Sequence, residues 1–378
     1  MTSQTTYTLT SSTTQDNALE LTWSDGKSSR FHFLWLRDNC PTVLHPDTQE
    51  RVFNQLEVSA EIHPVDVSVI DDTLYILWSE QSHESVFSEQ WLRTHAYSGD
   101  LIAANTPTTK SWDSQQQDAF VTADYADVLT DDSALYDWMK QLDQDGLIFV
   151  DKVPPTDAAL TQFAQRIDYQ RQTNFGVTFE VKSAAKPINL AYTALALPLH
   201  TDLPNYETPP GYQFLHCLSN QGEGGESLFV DGLRVLEELR NDEPAFFDLL
   251  ATQSIPFRFH DATHDVRSHH PVINLDHRGN IVELKYNAHI ADIFDLPEAV
   301  MHDYYLAYRE LMKRMNAQQY QVKIKLSAGV MAVFDNRRVL HGRTSYEPTS
   351  ERHLRGCYVD RTEFKSRLRV LARDHQSK

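Results

Sequence analysis

Two short segments constrain this chain most, because together they carry side chains that can share one metal ion. The first contains His200 and Asp202, and the second, at 335–343, contains His341. In an extended strand, residues i and i+2 project from the same face, so His200 and Asp202 present an imidazole and a carboxylate to one point. Two histidines and one carboxylate on one side of a metal, with open positions opposite, form the facial triad that holds non-haem Fe(II). The sequence therefore predicts that the fold brings His341 beside the first pair.

A His-x-Asp pair alone is a weak signal, since the chain contains 17 histidines and 53 acidic residues. Arg352 strengthens it, because this arginine follows His341 by 11 residues, a spacing that lets the next strand carry a guanidinium into the same cavity. An arginine offers a planar, permanently charged fork that suits a carboxylate. We predict that Arg352 binds an anionic ligand beside the metal, with Arg355 and Arg343 as alternatives. An ion pair at the surface is the structural alternative for Arg352.

The composition argues against several classes of protein. A formal net charge of −19 repels polyphosphate, which argues against a nucleic-acid partner. No apolar run approaches the roughly 20 residues needed to cross a bilayer, and the first residues lack the pattern of a signal peptide. The three cysteines, Cys40, Cys217 and Cys357, are too few and too scattered for a disulfide framework. We therefore expect a cytoplasmic protein that does not bind membranes.

Patterning along the chain predicts three parts. Residues 1–95 show short alternating strands joined by turns, which is typical of a small β domain. Residues 96–125 are polar and predict a linker. In 126–378, helical spacing at 135–142 is closed by Gly146, an apolar strand follows at 147–150, and a further helix is predicted at 297–315.

Several motifs carry a family resemblance that runs over nearly the whole chain. They are His200-x-Asp202, Gly224-Gly225-Glu226-Ser227, the segment 335–343, the segment 352–358 and the amino-terminal segment 34–41. In this order they resemble the gamma-butyrobetaine hydroxylase and trimethyllysine hydroxylase branch of the Fe(II)/2-oxoglutarate-dependent oxygenases, which are TauD-like. The triad alone would indicate only the wider superfamily.

The resemblance implies a fold and a set of cofactors. The fold would be mainly β with flanking helices, a double-stranded β-helix or jelly roll, following the small N-terminal β domain. Fe(II) would be held by His200, Asp202 and His341, and 2-oxoglutarate would be the cosubstrate. The distant carboxylate of 2-oxoglutarate would pair with Arg352, helped by the hydroxyl of Ser227. Ascorbate as an auxiliary reductant and a homodimeric assembly are also expected.

The resemblance further implies a structural zinc site in the N-terminal domain, where the family uses three closely spaced cysteines and a distant histidine. This chain departs from that pattern, because Thr42 and His45 replace two of the thiols. Zinc accepts Cys and His ligands, so we predict a degenerate site built on Cys40, His45 and His83. A metal-free loop with an ordinary buried cysteine is the structural alternative.

A substrate pocket is implied by aromatic residues that match the family's quaternary-ammonium cage. A ring of aromatic faces binds such a cation by cation–π attraction. The matching positions are Phe175, Phe179, Tyr192 and Tyr358 for the cage, with Asn189 and Asn287 for the substrate carboxylate. For any one of these aromatic residues, core packing is the structural alternative.

The leading functional hypothesis is a dioxygenase that uses O2 to hydroxylate gamma-butyrobetaine, giving carnitine. An alternative keeps the chemistry and changes the trimethylammonium substrate to trimethyllysine or a trimethylammonium alkylphosphonate. A hypothesis of another class is a jelly-roll binding module without catalysis, against which the intact triad and Arg352 argue.

Overall fold

A computed structural model gives the structure of the protein, and it describes residues 7–80, 83–104, 109–183, 190–348 and 351–376. The chain forms two compact units, Met1–Thr108 and Thr109–Lys378. Across these described ranges, no helix has the length and apolar character required to span a membrane.

The first unit contains two three-stranded antiparallel sheets. Their strands are β1 (Leu9–Gln15), β2 (Ala18–Trp23), β3 (Ser28–His32), β4 (Pro64–Ile70), β5 (Thr73–Trp78) and β6 (Glu84–Ser88). The unit also contains three short helices: α1 (Phe33–Asp38) between β3 and β4, and α2 (Glu89–Thr94) and α3 (Leu101–Ala104) after β6. The alternating side chains of β2 and β5 point into one apolar core, which contains the fully buried Trp23 and Trp78. This alternation is the period-2 signal on which the strand predictions depend.

Within the segment 96–125, predicted to be a linker, several of the described residues are buried. Leu101 is buried in the core of the first unit. Trp112 is buried in the second unit, where its indole N–H donates to the Asp145 carbonyl at 2.6 Å and its backbone N–H donates to Asp231 at 3.0 Å. The polar composition of the segment gives no sign that this tryptophan is buried. The division between the two compact units falls after Thr108.

The second unit is built on a six-stranded and a four-stranded sheet, and the predicted mainly β, jelly-roll fold is confirmed. The strands of these sheets are β7 (Thr122–Asp124), β8 (Leu147–Asp151), β9 (Thr178–Val181), β10 (Leu197–His200), β11 (Tyr212–Asn220), β12 (Ser227–Asp231), β17 (Gln321–Ile324), β18 (Met331–Asp335), β19 (Val339–Arg343) and β20 (Arg352–Val359). The six-stranded sheet has the order β7-β8-β18-β11-β20-β9 and the four-stranded sheet has the order β10-β19-β12-β17. Two hairpins lie outside these sheets, formed by β13 (Ser254–His260) with β14 (Asp265–Pro271), and by β15 (Ile273–Leu275) with β16 (Ile281–Leu284).

Helices flank the two sheets. They are α4 (Tyr125–Thr130), α5 (Asp132–Asp145), α6 (Asp157–Ile167), α7 (Gly232–Asp242), α8 (Pro244–Thr252), α9 (Glu298–Met315) and α10 (Arg361–Gln376). Helices α4, α5, α6 and α10 pack on the six-stranded sheet, whereas α7, α8 and α9 pack on the four-stranded sheet. A third cluster, which includes Phe149, Phe229 and Phe334, joins the inner faces of the two sheets. The sheets therefore form a layered core with helices outside.

Helix α5 shows how local sequence sets these boundaries. The Asp131 carboxylate caps its start by accepting the Ser133 backbone N–H at 2.8 Å. Gly146 ends it in the left-handed region with φ +73°, which glycine adopts without steric cost. The predicted helix end and the strand that follows are both confirmed.

A buried ion pair joins β12, α7 and the turn between β18 and β19. The Arg338 guanidinium donates to both carboxylate oxygens of Asp231 at 2.9 and 2.8 Å, and the Asp231 side chain is fully buried. The same guanidinium donates to the backbone carbonyls of Gln144 and Lys110. Removing one partner of such a pair leaves an uncompensated charge in the interior.

We expect Arg338→Met to lower the free energy of unfolding by about 3–5 kcal/mol, because Asp231 stays buried without its cation. The control is Arg258→Met, which breaks the half-exposed pair with Asp265 and is expected to cost less than about 1 kcal/mol. Urea denaturation of both variants measures the difference. Equal losses in the two variants would contradict the role given to the buried pair.

A second buried group makes the fold sensitive to acid. His216, on β11, is fully buried, and neither ring nitrogen has a hydrogen-bond partner among the described residues. Burial lowers the pKa of His216 to about 4; the Val153 backbone is the next effect and opposes this shift, and the charge of Arg355 on the neighbouring strand adds to it. The folded chain therefore keeps this imidazole neutral at pH values where the unfolded chain protonates it.

We expect stability to be lost as the pH falls from about 6.5 toward 4, since only the unfolded state takes up a proton at this position over that range. His216→Leu should flatten this part of the profile. The measurement is the urea midpoint against pH, with the exposed His302→Leu as control. A profile that His216→Leu leaves as steep as the wild type would show that another group is responsible.

Candidate metal centre

The two histidines predicted to share a metal lie directly opposite each other on paired antiparallel strands. His200 on β10 is the register partner of His341 on β19, and their ring centroids are 4.2 Å apart. The Oδ1 atom of Asp202 lies 3.3 Å from His200 Nε2 and 3.8 Å from His341 Nε2. One potential ligand atom from each of the three residues lies within 4.8 Å of the others. The predicted convergence is therefore present in the structure.

Hydrogen bonds fix the orientation of these ligands. His200 Nδ1 lies 2.8 Å from the Pro198 carbonyl, so the proton on Nδ1 leaves Nε2 free to bind a metal. The Tyr358 hydroxyl donates to Asp202 Oδ2 at 2.7 Å. The Asn336 carboxamide accepts the Asp202 N–H at 2.6 Å and donates to the Asp202 carbonyl at 3.0 Å. Asn336, inside the 335–343 motif, thus ties the second segment to the first.

The protonation states suit a divalent cation. Burial lowers the pKa of His341 to about 3, with a further contribution from His200, so this imidazole is neutral. Burial would raise the pKa of Asp202, but His341, His200 and the Tyr358 hydroxyl outweigh that effect and hold the pKa of Asp202 well below its usual range. A neutral imidazole and an ionised carboxylate are the ligand forms that Fe(II) requires.

The triad lines a cavity of about 970 Å³, counted out to its open mouth. Within the described residues, seven further predicted site residues line the same cavity: Phe175, Phe179, Tyr192, Ser227, Asn287, Arg352 and Tyr358. Asn189, predicted to hold a substrate carboxylate, lies outside the described residues. The size is within the usual range for a small-molecule site.

Arg352 is the cavity's uncompensated cation. It is buried, its Nη1 has no hydrogen-bond partner among the described residues, and its Nε makes only a long 3.4 Å bond to the Gly225 carbonyl. Burial lowers the pKa of Arg352 to about 10, with the neighbouring Arg343 as the next cause. The guanidinium remains charged at neutral pH and lacks a carboxylate, so the cavity is built to take an anion.

The two alternative arginines have other partners. Arg343 donates to the backbone carbonyls of Ala191, Thr193 and Leu195, and so holds the 190–195 segment at the cavity wall. Arg355 lies outside the cavity lining and pairs with Asp157 and Glu180. Arg343 Nε also lacks a hydrogen-bond partner among the described residues, but both of its Nη atoms bind these carbonyls, whereas Nη1 of Arg352 is open to an anionic ligand.

Comparisons with known proteins agree with this geometry. The family model described as "Taurine catabolism dioxygenase TauD, TfdA family" matches residues 104–358, and "Gamma-butyrobetaine hydroxylase-like, N-terminal" matches residues 10–93. The chain belongs to the TauD, TfdA dioxygenase family. Within it, the chain lies in the gamma-butyrobetaine hydroxylase-like branch and is a 2-oxoglutarate-dependent dioxygenase.

The similar proteins support the family and the fold separately. A gamma-butyrobetaine dioxygenase from Pseudomonas sp. strain AK-1 is 40% identical, with 94% of each chain covered. A mitochondrial trimethyllysine dioxygenase from Gallus gallus is 30% identical, covering 93% of this chain and 86% of the relative. A crystal structure of a protein from Burkholderia xenovorans matches with a TM-score of 0.50 at 14% identity, covering 67% of this chain and 91% of that chain, which shows the fold.

The donor set of this dioxygenase fits Fe(II) and 2-oxoglutarate. Two imidazoles and one carboxylate supply the facial triad, and the guanidinium of Arg352, whose Nη1 has no hydrogen-bond partner among the described residues, lines the same cavity. Gly225 gives this arginine room, and Gly224 lets the backbone of 345–346 approach closely. A Cβ on Gly225 would lie 3.0 Å from Arg352 Cδ, and one on Gly224 would lie 2.2 Å from the Ser345 carbonyl oxygen.

The aromatic residues of the dioxygenase cavity form two pairs. The Phe179 and Tyr358 rings stack with centroids 5.1 Å apart, and the Phe179 ring occupies the space where a Cβ of Gly356 would lie. Phe175 meets Phe259 edge to face at 5.3 Å. Tyr192 lies in the same lining. The four predicted aromatic residues therefore share one cavity, with Phe259 as an unpredicted fifth.

The carboxamide of Asn287, predicted to hold a substrate carboxylate, already has backbone partners. Its Nδ2 donates to the Thr201 carbonyl at 3.3 Å, and its Oδ1 accepts the His289 N–H at 3.1 Å. Only the second N–H of this amide remains for a ligand. Asn287 therefore also supports the backbone beside the triad.

Sequence reasoning missed four polar or aromatic residues of the cavity lining: Asn205, Gln213, Phe259 and His289. Phe259 and His289 come from a hairpin and a loop that carry no motif. Asn205 and Gln213 are polar residues buried by the tertiary structure, since each is at most 2% exposed. The one sequence signal for Asn205 as a cavity residue is its position three residues after Asp202.

The predicted zinc ligands do not come together. Among the described residues, the triad is the one group of three or more metal-ligating side chains within mutual reach. Thr42 lies where a thiolate would be needed, 3.1 Å from Cys40 Sγ and 3.5 Å from His83 Nε2. His45 Nδ1 instead accepts the backbone N–H groups of Asp47 and Thr48. A hydroxyl is not one of the usual ligands of a structural zinc site, so the zinc hypothesis for these side chains is not supported.

We expect Arg352→Ala to raise the 2-oxoglutarate concentration needed for half-maximal turnover by about 10- to 100-fold, because charge-assisted hydrogen bonds are lost. Arg355→Ala is the matched control and should leave that concentration nearly unchanged. The affinity for 2-oxoglutarate, measured by its stabilisation of the protein against heat, gives a readout independent of turnover. A large effect from Arg355→Ala with none from Arg352→Ala would reverse the assignment.

Proposed function

We propose that the protein hydroxylates gamma-butyrobetaine to carnitine, using O2 and 2-oxoglutarate. The observation that carries the proposal is one cavity that joins a His-Asp-His triad, an unpartnered guanidinium and a group of aromatic rings. A relative named gamma-butyrobetaine dioxygenase, 40% identical over 94% of both chains, supports the substrate.

In this proposal His200, Asp202 and His341 hold the iron. Bound iron and 2-oxoglutarate together supply the activation of O2 that places a hydroxyl group on an unreactive carbon. Arg352 binds the distant carboxylate of 2-oxoglutarate, with the Ser227 hydroxyl beside it on β12. The protein contributes placement and exclusion of water, which the burial of both residues supports.

The aromatic residues receive the trimethylammonium group. Each ring face contributes about 0.5–2 kcal/mol to binding such a cation, depending on how well water is excluded. Burial, and next to it the charge of Asp202, raises the pKa of Tyr358 and of Tyr192, so both remain neutral phenols. Asn189 and the remaining N–H of Asn287 are the proposed contacts for the substrate carboxylate.

The same chemistry on trimethyllysine is the second candidate, supported by the relative of that name at 30% identity. A trimethylammonium alkylphosphonate is the third, since the ammonium end would be identical. These substrates differ at the anionic end, where a carboxylate, an amino acid or a phosphonate would have to be held.

Other features of the proposal rest on the sequence and the resemblance. Ascorbate is the proposed auxiliary reductant, and the protein acts without nucleic-acid partners in the cytoplasm. The proposed assembly is a homodimer, for which exposed Tyr305 and Leu306 on α9 and the nearby Ile293 offer apolar surface.

Substrate-dependent succinate formation tests the proposal. With Fe(II), 2-oxoglutarate and O2, we expect gamma-butyrobetaine to give a kcat/KM at least about tenfold above trimethyllysine and above the phosphonate, a preference of about 1.4 kcal/mol. Mass spectrometry should show one added oxygen atom in the product. His200→Ala controls for background iron chemistry. A preference for either other compound would replace the proposed substrate and keep the enzyme class.

A further inference from the structure

The cavity contains a buried carboxamide that the roles given above do not use. Asn205 is fully buried and lines the cavity. Its Nδ2 donates to the Val266 carbonyl at 3.4 Å, whereas its Oδ1 is buried without a hydrogen-bond partner among the described residues. A buried acceptor without a donor is costly and uncommon in folded proteins, so its partner is expected to come from a ligand.

The backbone before Asn205 is in an unusual conformation. Leu203 has φ +58°, in the left-handed region that a leucine rarely adopts. The Tyr206 N–H donates to the Leu203 carbonyl at 3.1 Å and closes a turn around Asn205. Strain of this kind persists where the surrounding structure demands a particular side-chain position. Here the left-handed turn at Leu203 lets both Asp202 and Asn205, three residues apart, line the same cavity.

Asn205 lies beside one of the two aromatic pairs. Val266, which accepts its N–H, is the register partner of Phe259 across the β13–β14 hairpin. Phe259 lines the cavity and packs edge to face against Phe175. The free oxygen therefore lies at the aromatic part of the cavity.

The chemistry of the substrate decides what this oxygen can face. Gamma-butyrobetaine has no N–H or O–H donor at neutral pH, and its charged groups are a trimethylammonium cation and a carboxylate. A carbonyl oxygen carries partial negative charge, so it repels the carboxylate and attracts the cation. Because the Nδ2 of Asn205 already donates to Val266, the amide is oriented with its oxygen as the available group.

We propose that Asn205 is a specificity-determining residue whose Oδ1 faces the trimethylammonium group beside Phe175 and Phe259. The inference rests on the proposed function and adds to it a contact that selects for positive charge. Aromatic rings and the shape of the cavity alone would discriminate less strongly between a cation and a neutral group. It predicts that Asn205 affects discrimination between a cationic ligand and a neutral one of the same shape.

The test compares gamma-butyrobetaine with its carbon isostere, 5,5-dimethylhexanoate, in which a neutral tert-butyl group replaces the trimethylammonium group. Equilibrium binding of each is measured without O2, with Fe(II) and 2-oxoglutarate present. We expect Asn205→Leu to reduce the preference for the cation about fivefold, and Asn205→Asp to increase it about tenfold, by adding a negative charge near the ammonium. Asn274→Asp, which makes the same change at a partly buried amide outside the cavity lining, should leave the preference unchanged.

The two variants make the inference falsifiable even if one of them folds poorly. A preference that stays within about twofold of the wild type in the folded variants would overturn the role of Asn205. A reduced preference in Asn205→Asp would place the oxygen at the carboxylate end and would equally overturn it. Wild-type turnover of gamma-butyrobetaine separates these outcomes from failure of the proposed function, because a wild type that does not use this substrate overturns both proposals.

Discussion

The site depends on the pairing of β10 with β19, which sets His200 opposite His341. Because side chains alternate along a strand, a slip of one residue would turn one imidazole away from the other and remove the metal site. Gly342 permits this pairing, since a Cβ there would lie 2.7 Å from the Leu197 carbonyl oxygen. The glycine beside the second metal ligand is thus explained by close approach of the strands. Asn336 then fixes Asp202 from the same segment.

Two buried arginines differ in their partners, and the difference separates a structural role from a ligand-binding role. Arg338 has a carboxylate and two carbonyls as partners, and it joins elements of the framework. Arg352 is equally buried yet has free donors, and the orphaned oxygens of Asn205 and Gln213 line the same cavity. Unsatisfied buried polar groups cost stability. Such groups in a cavity lining are expected where a fold gives up local stability for ligand binding.

Sequence predicted the features that depend on local rules. The i, i+2 spacing predicted that His200 and Asp202 lie together, which they do although β10 ends at His200, and glycine chemistry placed the end of α5. Sequence patterning missed what tertiary packing decides: Trp112 is buried within a segment of polar composition. Phe259 reaches the cavity from a hairpin whose position no periodicity encodes. The predicted zinc ligands Cys40, His45 and His83 do not lie within mutual reach, and His45 Nδ1 accepts backbone N–H groups of its own loop instead, a local contact that sequence position does not reveal.

Charge sorting within the cavity gives a physical reason why the dianion 2-oxoglutarate and the zwitterion gamma-butyrobetaine do not exchange places. Both 2-oxoglutarate and gamma-butyrobetaine carry a carboxylate that Arg352 could attract, but only the substrate carries a cation. Arg352, the aromatic faces and the Asn205 oxygen line the same cavity. A gamma-butyrobetaine molecule turned so that its cation approached the guanidinium, before 2-oxoglutarate had bound there, would meet a like charge. At an effective dielectric of about 20, two like charges about 4 Å apart repel by about 4 kcal/mol, enough to exclude that orientation. The unpaired groups of the cavity therefore favour one direction of binding for each ligand.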